Sequence, residues 1–374
     1  MNIPFVDLGA QYKTIESEIK IAINEVLDKT AFIKGEQVSL FERNFASLMD
    51  AKHCIGVGNG TDALIVALKV LGVGPGDEVI VPANSFIATS EAVSVVGASV
   101  IFVDNCPDSY NIDPDRIESK ITDKTKVIIP VHLYGQMAEM EKIVEIASRF
   151  NIKILEDSAQ AHLSEMRVED GSWKPAGAFG DMATFSFFPG KNLGAYGDAG
   201  AIITNNDKYA KIARMYSNHG RIAKYNHEIE GINSRLDNLQ AAILNVKLNY
   251  IKEWTEKRRE VANLYTRLLS NVSKVITPSV KSKYNSSWHL YVIRTEKRDK
   301  LIDFLNDHGV STGVHYPIPL PFLKAYKHLG FKDQDFPFAA SYQHQILSLP
   351  IYPELDIEKI TYCCKLIEKF HDLK

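Results

Sequence analysis

The sequence predicts an α/β protein with a mostly parallel central sheet covered by helices on both faces. From about residue 50, short β-branched runs alternate with stretches in which apolar residues recur at helical spacing. Most of the strand candidates are continuous apolar runs, which are typical of parallel strands buried on both faces. The candidates span residues 53–58, 78–83, 99–104, 126–135, 152–157, 182–187 and 201–204.

The pattern changes in the second half of the chain and indicates a smaller second domain. A long helical stretch from Asp237 to about Leu269 has little internal punctuation and could bridge two domains. Beyond it, a strand, a helix and a proline-rich loop over residues 288–321 indicate an α+β unit. A chain of 374 residues also exceeds the usual size of a single hydrophobic core. We therefore predict a large α/β domain over residues 1–245 and a small C-terminal α+β domain over residues 246–374.

Composition argues against several classes of protein. The net charge of -3 and the pI near 6.4 give no global attraction for nucleic acid or for an anionic membrane. The N-terminus lacks the basic and apolar regions of a secretory signal, and the most apolar stretch, residues 92–103, is too short to span a bilayer. The four cysteines form no CxxC pair, and no histidine lies at metal-ligand spacing from them. We expect a cytoplasmic protein with reduced thiols, no metal site, and no nucleic-acid or membrane partner.

Lys191 is the first candidate functional residue. Open α/β sheets bind ligands at the carboxyl ends of their strands, and Lys191 follows the strand MATFSF and a Pro-Gly turn. Lysines in loops are usually solvated, but the flanking segments FSFFPG and LGAYG contain no other charge before Asp198. A lysine amine in an apolar pocket has a lowered pKa and acts as a nucleophile toward carbonyl groups.

Other strand ends carry candidate ligand-binding groups. The strand IKILED ends at Asp157, where a buried carboxylate needs a cation or a full set of donors, although it could equally cap the next helix. The first strand runs through Asn59, Gly60 and Thr61 into a helix, which is either an anion site or an ordinary N-cap. Ser186 is either a buried, satisfied hydroxyl or a further phosphate donor.

These groups together match the needs of a pyridoxal phosphate site. Such a site requires a lysine for a Schiff base, an aspartate facing the pyridinium nitrogen, and a helix N-terminus with hydroxyl groups for the phosphate. The cofactor acts as an electron sink only while its ring nitrogen stays protonated, and an ionised aspartate stabilises that proton. The order of these residues and their placement at strand ends favour one shared site.

Nearly the whole chain resembles a known group of enzymes. On its motifs the chain is identified as a member of the fold-type I pyridoxal phosphate enzymes, and specifically of the DegT/DnrJ/EryC1/StrS group of nucleotide-sugar aminotransferases. The resemblance implies a fold-type I PLP-transferase, with a mostly parallel sheet flanked by helices and a small C-terminal α+β domain. The stretches that carry it are IPFVDL (3–8), GNGTDAL (58–64), GDEVIVPANSFIAT (76–89), PVHLYGQ (130–136), EDSAQAH (156–162), FSFFPGKNLGAYGDAGAI (185–202), GINSRLDNLQAAIL (231–244), HYPIP (315–319) and LSLPIYPEL (347–355).

The resemblance implies a role for each residue that matches a family motif around the cofactor ring. Lys191 matches the Schiff-base lysine, which also moves the proton between the amino donor's α-carbon and the cofactor. Asp157 matches the partner of the pyridine nitrogen, and Gln160 matches the residue near the ring hydroxyl. Phe86 matches the aromatic residue that stacks on the ring, although without the resemblance a core phenylalanine would be the simpler interpretation.

Other matches concern the phosphate and the interface between subunits. Gly60, Thr61 and Ser186 match the phosphate cradle of the family. Asn233, in GINSRLD, matches an asparagine that the neighbouring subunit supplies to the same phosphate. The resemblance therefore implies a homodimer whose active sites are shared across the interface.

A further group of matches concerns the sugar substrate. His315 and Tyr316 match the HYP loop that reaches the sugar pocket. The chain departs from the family pattern at Phe322, near a position where the family often has histidine, and this makes the sugar contacts less defined. The candidates for contacts with the nucleotide sugar are His219, Arg221 and Tyr225.

The identity of residue 191 distinguishes two chemistries within this fold. Sugar 3-dehydratases that resemble these enzymes carry histidine in place of the Schiff-base lysine, so Lys191 favours transamination. The implied reaction is ping-pong: L-glutamate converts pyridoxal phosphate to pyridoxamine phosphate, which then aminates a nucleotide-linked keto-deoxy sugar. The motif GINSRLDNLQAA favours a keto group at C3 over one at C4. The expected pathway is surface polysaccharide, such as lipopolysaccharide, or amino-sugar biosynthesis.

Two alternatives stay open. One is a different pyridoxal phosphate reaction, such as a lyase reaction or transamination of an inosose or another cyclic ketone. The other is a non-catalytic binding or regulatory protein with this fold, which the intact Lys191 and Asp157 disfavour.

Overall fold

The computed structural model describes residues 1–372, which contain 11 α-helices and 14 β-strands. The helices are α1 (Leu8–Asp28), α2 (Glu36–Leu48), α3 (Gly60–Val70), α4 (Ala88–Val95), α5 (Met140–Phe150), α6 (Asp207–Tyr216), α7 (Asn238–Leu248), α8 (Ile251–Leu269), α9 (Arg298–Asp307), α10 (Pro337–Tyr342) and α11 (Ile357–Asp372). The strands are β1 (His53–Val57), β2 (Glu78–Pro82), β3 (Ser99–Val103), β4 (Thr125–Ile128), β5 (Lys153–Asp157), β6 (Glu165–Arg167), β7 (Trp173–Pro175), β8 (Met182–Ser186), β9 (Gly200–Thr204), β10 (Arg221–Ala223), β11 (Asn226–His227), β12 (Tyr284–Asn285), β13 (Tyr291–Arg294) and β14 (Ile346–Leu349).

A seven-stranded central sheet has the order β1-β9-β8-β5-β4-β2-β3. Strand β9 runs antiparallel to its neighbours β1 and β8, whereas the remaining neighbouring pairs are parallel. Every strand candidate from the sequence lies in this sheet. The expectation of a mostly parallel α/β sheet is therefore confirmed.

Helices cover both faces of the sheet, as its continuous apolar strands require. In β2, Val79 and Val81 pack into a core with helices α3, α4 and α6, whereas Ile80 between them packs with α5 on the other side. Further along the second face, Phe185 of β8 packs with α2 and α7. Strands that are buried on both faces need apolar residues at every position, which is the pattern seen in the sequence.

The expected long helix from Asp237 to Leu269 is two helices, α7 and α8, that are separated at Tyr250. The Tyr250 ring stacks on Trp254 at a centroid distance of 5.6 Å, and its hydroxyl donates a hydrogen bond to Glu18 of α1. Packing against α1 accompanies the break, and such a long-range contact is not visible in local helical periodicity.

A separate hydrophobic core, called the second core below, joins α8, α9 and α11 with strands β13 and β14. Within it, the Tyr265 and Tyr291 rings stack at a centroid distance of 5.0 Å. Ile3, near the start of the chain, also packs into this core, and its main-chain N–H donates to the carbonyl oxygen of Gly309 at 2.8 Å. The N-terminal segment therefore packs with the C-terminal half, while the domain boundary near residue 245 stays a prediction.

Across residues 1–372, none of the helices combines the length and the apolar character needed to cross a membrane. The four cysteines are free thiols, with Cys54, Cys363 and Cys364 buried and Cys106 partly buried.

We expect Leu305→Ala to lower the free energy of unfolding by about 2–5 kcal/mol, because Leu305 is 0% exposed in the second core and its truncation leaves a cavity. Leu329→Ala is the matched control, since this side chain is 41% exposed and its loss should cost about 0.5 kcal/mol or less. Urea denaturation of both variants measures the difference. Equal losses in the two variants would contradict the assignment of this core.

Candidate active site

A cavity of about 570 Å³ lies at the carboxyl ends of the parallel strands. Its walls come from the segments that follow β1, β2, β5 and β8 and from a loop around residue 315. Nine sequence-predicted site residues line it: Gly60, Thr61, Phe86, Asp157, Gln160, Ser186, Lys191, His315 and Tyr316.

The turn between β1 and α3 presents main-chain N–H groups to this cavity. Asn59 caps α3, since its side-chain oxygen accepts from the N–H of Asp62 at 2.8 Å. A Cβ at Gly60 would lie 2.7 Å from the Cβ of Ser186, so only glycine fits between the turn and the end of β8. The close approach brings the Ser186 hydroxyl beside a helix N-terminus, which favours an anion such as a phosphate group.

Asp157 closes β5 as a buried carboxylate, 5% exposed. One of its oxygens accepts from the Thr89 hydroxyl at 2.9 Å, and the other accepts from the main-chain N–H of Ala159 at 3.2 Å. Burial raises the pKa of Asp157 above its usual value, while these two hydrogen bonds and the charge of Lys191 oppose that shift. A protonated ring nitrogen in the cavity would supply the close cationic partner that a buried carboxylate needs.

Lys191 sits in a tight loop after β8. Its main-chain N–H donates to the carbonyl oxygen of Phe188 at 2.8 Å, and the N–H of Ala195 donates to the carbonyl oxygen of Phe187 at 2.7 Å, so the chain reverses around the lysine. Burial lowers the pKa of Lys191 to about 8, although the carboxylate of Asp157 opposes the shift. At pH 7, about a tenth of this amine is therefore unprotonated and able to attack a carbonyl carbon.

Gln160 joins the Asp157 segment to the loop around residue 315. Its side-chain oxygen accepts from the N–H of Tyr134 at 2.8 Å, and its amide nitrogen donates to the Tyr316 hydroxyl at 3.1 Å. The Tyr134 hydroxyl donates in turn to the carbonyl oxygen of His315. These bonds fix the loop at the rim of the cavity.

Aromatic groups shape the rest of the rim. His315 stacks on Phe5 at 5.5 Å between ring centroids, and its ring nitrogen Nδ1 lies 2.8 Å from the Ser348 hydroxyl. The ring centroids of Phe86 and Tyr316 are 5.8 Å apart, and the Phe86 residue remains 53% exposed. The free ring face of Phe86 can therefore pack against a planar ligand.

Sequence reasoning missed several residues of the site. Thr89 and Ala159 bind Asp157 directly, and His289 lines the cavity with its Nδ1 3.2 Å from the side-chain oxygen of Asn192. Burial lowers the pKa of His289, and the charge of Lys191 adds to the shift. Thr89 lies in the motif NSFIAT, and Asn192 lies in PGKNLG. The polar side chains of these two residues, a hydroxyl and an amide, were the features of the sequence that could have identified them as site residues.

Two residues near the predicted site, His162 at the end of the motif EDSAQAH and Phe322, pack against hydrophobic residues instead of lining the cavity. His162 does not line the cavity, and its ring lies against Phe185 and Phe187, where burial lowers its pKa to about 3 and keeps it neutral. Phe322, at the departure from the family pattern, packs against the core beneath α3 and α4, with its ring 6.1 Å from that of Phe336.

Four predicted site residues lie outside the cavity of their own chain, on and beside the hairpin of β10 and β11. Tyr225, at the hairpin tip, is 85% exposed. Burial lowers the pKa of Lys34, and the charges of Arg221 and Arg235 add to the shift, so cationic groups gather here. The four residues are His219, Arg221, Tyr225 and Asn233.

A reactive amine and a buried carboxylate, set beside a helix N-terminus at the carboxyl edge of the sheet, form a site suited to a phosphate-bearing carbonyl cofactor. The chain belongs to the DegT/DnrJ/EryC1/StrS aminotransferase family, whose sequence profile matches residues 13–368. It is therefore an aminotransferase of a pyridoxal phosphate-dependent family, as the sequence motifs predicted.

Relatives of known sequence match along almost the whole chain. A protein of Geobacillus stearothermophilus, named pleiotropic regulatory protein, is 46% identical over 99% of this chain and 99% of its own length. The dTDP-3-amino-3,4,6-trideoxy-alpha-D-glucose transaminase of Streptomyces venezuelae is 40% identical over 95% of this chain and 92% of its own. The UDP-2-acetamido-2-deoxy-3-oxo-D-glucuronate aminotransferase of Pseudomonas aeruginosa is 40% identical over 97% of this chain and 98% of its own.

Solved structures confirm the fold. DesV of Streptomyces venezuelae superposes with a TM-score of 0.96 at 39% identity, over 100% of this chain and 99% of that one. NtdA of Bacillus subtilis, solved with the cofactor PMP bound, superposes with a TM-score of 0.89 at 34% identity, over 98% of this chain and 85% of that one.

The lowered pKa of Lys191 predicts a pH-dependent stability in the cofactor-free chain. An unfolded lysine titrates near 10.4, so between about pH 8 and that value the unfolded chain binds the extra proton and rising pH favours the folded state. We expect the wild type to gain about 2 kcal/mol of unfolding free energy relative to Lys191→Met between about pH 7 and about pH 10.

Urea denaturation at the two pH values measures this gain. Lys252→Met, at an exposed position of α8, is the control and should follow the wild type. Parallel pH profiles for the wild type and Lys191→Met would contradict the prediction.

Proposed function

We propose that this aminotransferase transfers an amino group from L-glutamate to a nucleotide-linked keto-deoxy sugar, with the keto group at C3. The placement of Lys191 and Asp157 in one cavity is the observation that carries the proposed chemistry. The sugar, and the preference for C3 over C4, are supported by two relatives whose names specify a 3-amino and a 3-oxo nucleotide sugar. Their names differ in the nucleotide, so dTDP and UDP are both candidates.

The residues around the cavity fit pyridoxal phosphate. Gly60, Thr61 and Ser186 would hold the phosphate at the N-terminus of α3, where main-chain N–H groups and a hydroxyl converge. Asp157 would hold the protonated ring nitrogen. Gln160 would contact the ring hydroxyl, and Phe86 would pack on one face of the ring.

When bound, the cofactor supplies an electron sink for the pair released as a proton leaves the donor's α-carbon. The Nζ atom of Lys191 would take this proton and pass it to the cofactor, and in the second half-reaction it would deliver a proton to the aminated carbon of the sugar. A pKa of about 8 suits both roles, because the protonated and neutral forms are both populated near neutral pH. Asp157 contributes by remaining ionised, which Thr89 and Ala159 promote through their hydrogen bonds.

The proposed substrate also favours a homodimer with shared active sites. A nucleotide sugar carries a diphosphate, yet no arginine lines the cavity over residues 1–372. Cationic groups and Asn233 gather instead beside the exposed hairpin of β10 and β11. We place Asn233 at the phosphate in the other subunit's site, and we assign His219, Arg221 and Tyr225 to contacts with the nucleotide sugar there.

The remaining substrate contacts come from the loop at the cavity rim. His315 and Tyr316 are held there by Ser348, Tyr134 and Gln160, and both line the cavity together with Phe86. We propose that they contact the sugar. We also propose cytoplasmic amino-sugar biosynthesis, including surface polysaccharide synthesis, as the setting, in line with the free thiols of all four cysteines.

A regulatory role is the second candidate, because the relative at 46% identity is named a pleiotropic regulatory protein. Burial lowers the pKa of Lys191 and makes its amine more reactive, which favours catalysis over binding alone.

The substrate proposal is tested by incubating the enzyme with L-glutamate and a panel of dTDP-, UDP- and GDP-linked 3-keto and 4-keto sugars. Mass spectrometry of the amino sugar, together with 2-oxoglutarate release, identifies the accepted substrate. Free cyclic ketones such as an inosose belong in the panel, and turnover of these alone would overturn the nucleotide-sugar proposal.

We expect Lys191→Ala to lose the visible absorption of the bound cofactor and to lower amination about a thousandfold or more, since the nucleophile and proton carrier is removed. Absorption spectra and initial rates measure the two effects. Lys252→Ala is the surface control and should behave as the wild type. Full activity in Lys191→Ala would refute the proposed role and leave the regulatory candidate.

The shared site predicts complementation between two inactive variants. Lys191→Ala lacks the amine, while Asn233→Asp places a negative charge where the partner's phosphate is proposed to bind. After co-refolding in equal amounts, half of the dimers are mixed and each mixed dimer has one intact site, so about a quarter of wild-type activity should return. A mixture of Lys191→Ala with Lys191→Met should stay inactive. No gain over the separate parents would argue against a site shared through Asn233.

A further inference from the structure

Lys247, on α7, is a buried lysine that the proposed reaction does not use. It is 1% exposed, and its ammonium group donates to the carbonyl oxygen of Gly194 at 2.7 Å. The same nitrogen lies 4.3 Å from the centroid of the Tyr196 ring. Burial lowers the pKa of Lys247 to about 8, and the carboxylate of Glu354 opposes this shift. Both contacts of the ammonium therefore fall on the segment that immediately follows Lys191.

Gly194 closes the loop that carries Lys191. A Cβ at this position would lie 2.3 Å from the carbonyl oxygen of Pro189, so the two ends of the loop touch and only glycine fits. Near the loop's start, the N–H of Lys191 donates to the carbonyl oxygen of Phe188 at 2.8 Å. Lys247 thus binds the loop at the point where it closes.

Helix α7 contacts the same segment at a second point. The main-chain N–H of Tyr196 donates to the side-chain oxygen of Gln240 at 2.9 Å, and Gln240 lies two helical turns before Lys247. On the other side of the loop, the Asn192 amide donates to the carbonyl oxygen of Ser287 at 2.9 Å. The lysine loop is therefore held between α7 and the segment before β13.

We infer that Lys247 is a positioning residue for Lys191: by binding Gly194 it keeps the loop closed and holds the Lys191 amine inside the cavity, away from water. The inference rests on the proposed role of Lys191. The field of the Lys247 charge is not what acts on Lys191, whose pKa is set by burial and by Asp157. Lys247 therefore acts through the geometry of the loop.

The pKa of Lys191 reports whether the loop is closed, because it depends on the groups around the amine. The charge of Lys191 acts on the Asp157 carboxyl and on the imidazoles of three histidines, His162 behind the cavity wall and His289 and His315 in it. Tyr316 and Asp198 also line the cavity. Burial lowers the pKa of all three histidines and keeps them neutral, and Asp157 is the charge that opposes the lowered pKa of Lys191. An open loop would admit water, and the pKa of Lys191 would return toward its ordinary value.

The experiment uses the full-length, cofactor-free chain. Trinitrobenzenesulfonate labels unprotonated lysine amines, and peptide mass analysis follows the labelling rate of Lys191 from about pH 6 to about pH 11. The wild type should show a midpoint near pH 8. We expect Lys247→Met to raise this midpoint by about one pH unit or more. Lys247→Arg keeps a charged donor, so its midpoint should rise less than that of Lys247→Met.

Controls separate positioning from a general loss of stability. Lys252→Met makes the same chemical change on the exposed face of α8, and Leu305→Ala weakens the distant second core; both should keep the wild-type midpoint. If Lys247→Met does not fold, Lys247→Gln replaces it, with the same expected shift. An unchanged midpoint in a folded Lys247 variant would overturn the inference.

A separate experiment distinguishes failure of the Lys247 inference from failure of the proposed role of Lys191. Borohydride reduction of wild-type protein with pyridoxal phosphate, followed by peptide mass analysis, shows whether the cofactor bonds to Lys191. Absence of that bond would remove the proposed role of Lys191, whichever midpoint the Lys247 variants give. A bond at Lys191 together with a raised midpoint in Lys247→Met supports both.

Discussion

The opposition of two buried charges, the amine of Lys191 and the carboxylate of Asp157, is the constraint on which the site depends. Burial lowers the pKa of the lysine to about 8 and raises that of the aspartate, and each charge opposes the shift of the other. A more exposed lysine would be protonated and unreactive at neutral pH, whereas an aspartate without donors would lose its charge. Thr89 and Ala159 supply those donors.

Close main-chain contacts bring these groups together. Gly60 lies against Ser186, Gly194 against Pro189, and Gly200 against Asn59, at spacings where any Cβ would clash. Each contact joins segments from different strand ends or closes the lysine loop. These contacts fix the main chain around the proposed phosphate site and around the loop that carries Lys191.

Much of this architecture could be predicted from the sequence, because buried parallel strands leave a local signature. All seven strand candidates became strands of the central sheet, and the residues at their ends that suggested chemistry, Asp157, Lys191 and Thr61, line one cavity. The helix break at Tyr250 could not be predicted, since it coincides with packing of Tyr250 on Trp254 and contact with Glu18, 232 positions away. The hydrogen bond from Thr89 to Asp157 joins residues 68 positions apart and was missed for the same reason.

The sequence by itself determined the fold class, the family and the residue types available for chemistry, because these follow from local periodicity and from contiguous motifs. Only the tertiary structure decided how those residues act on one another. The pKa of Lys191, the burial of His162 among phenylalanine rings and the bond between Lys247 and Gly194 depend on desolvation and on contacts between distant segments. These properties arise only after the chain has packed, because desolvation requires neighbouring groups and charge interactions depend on distance in space.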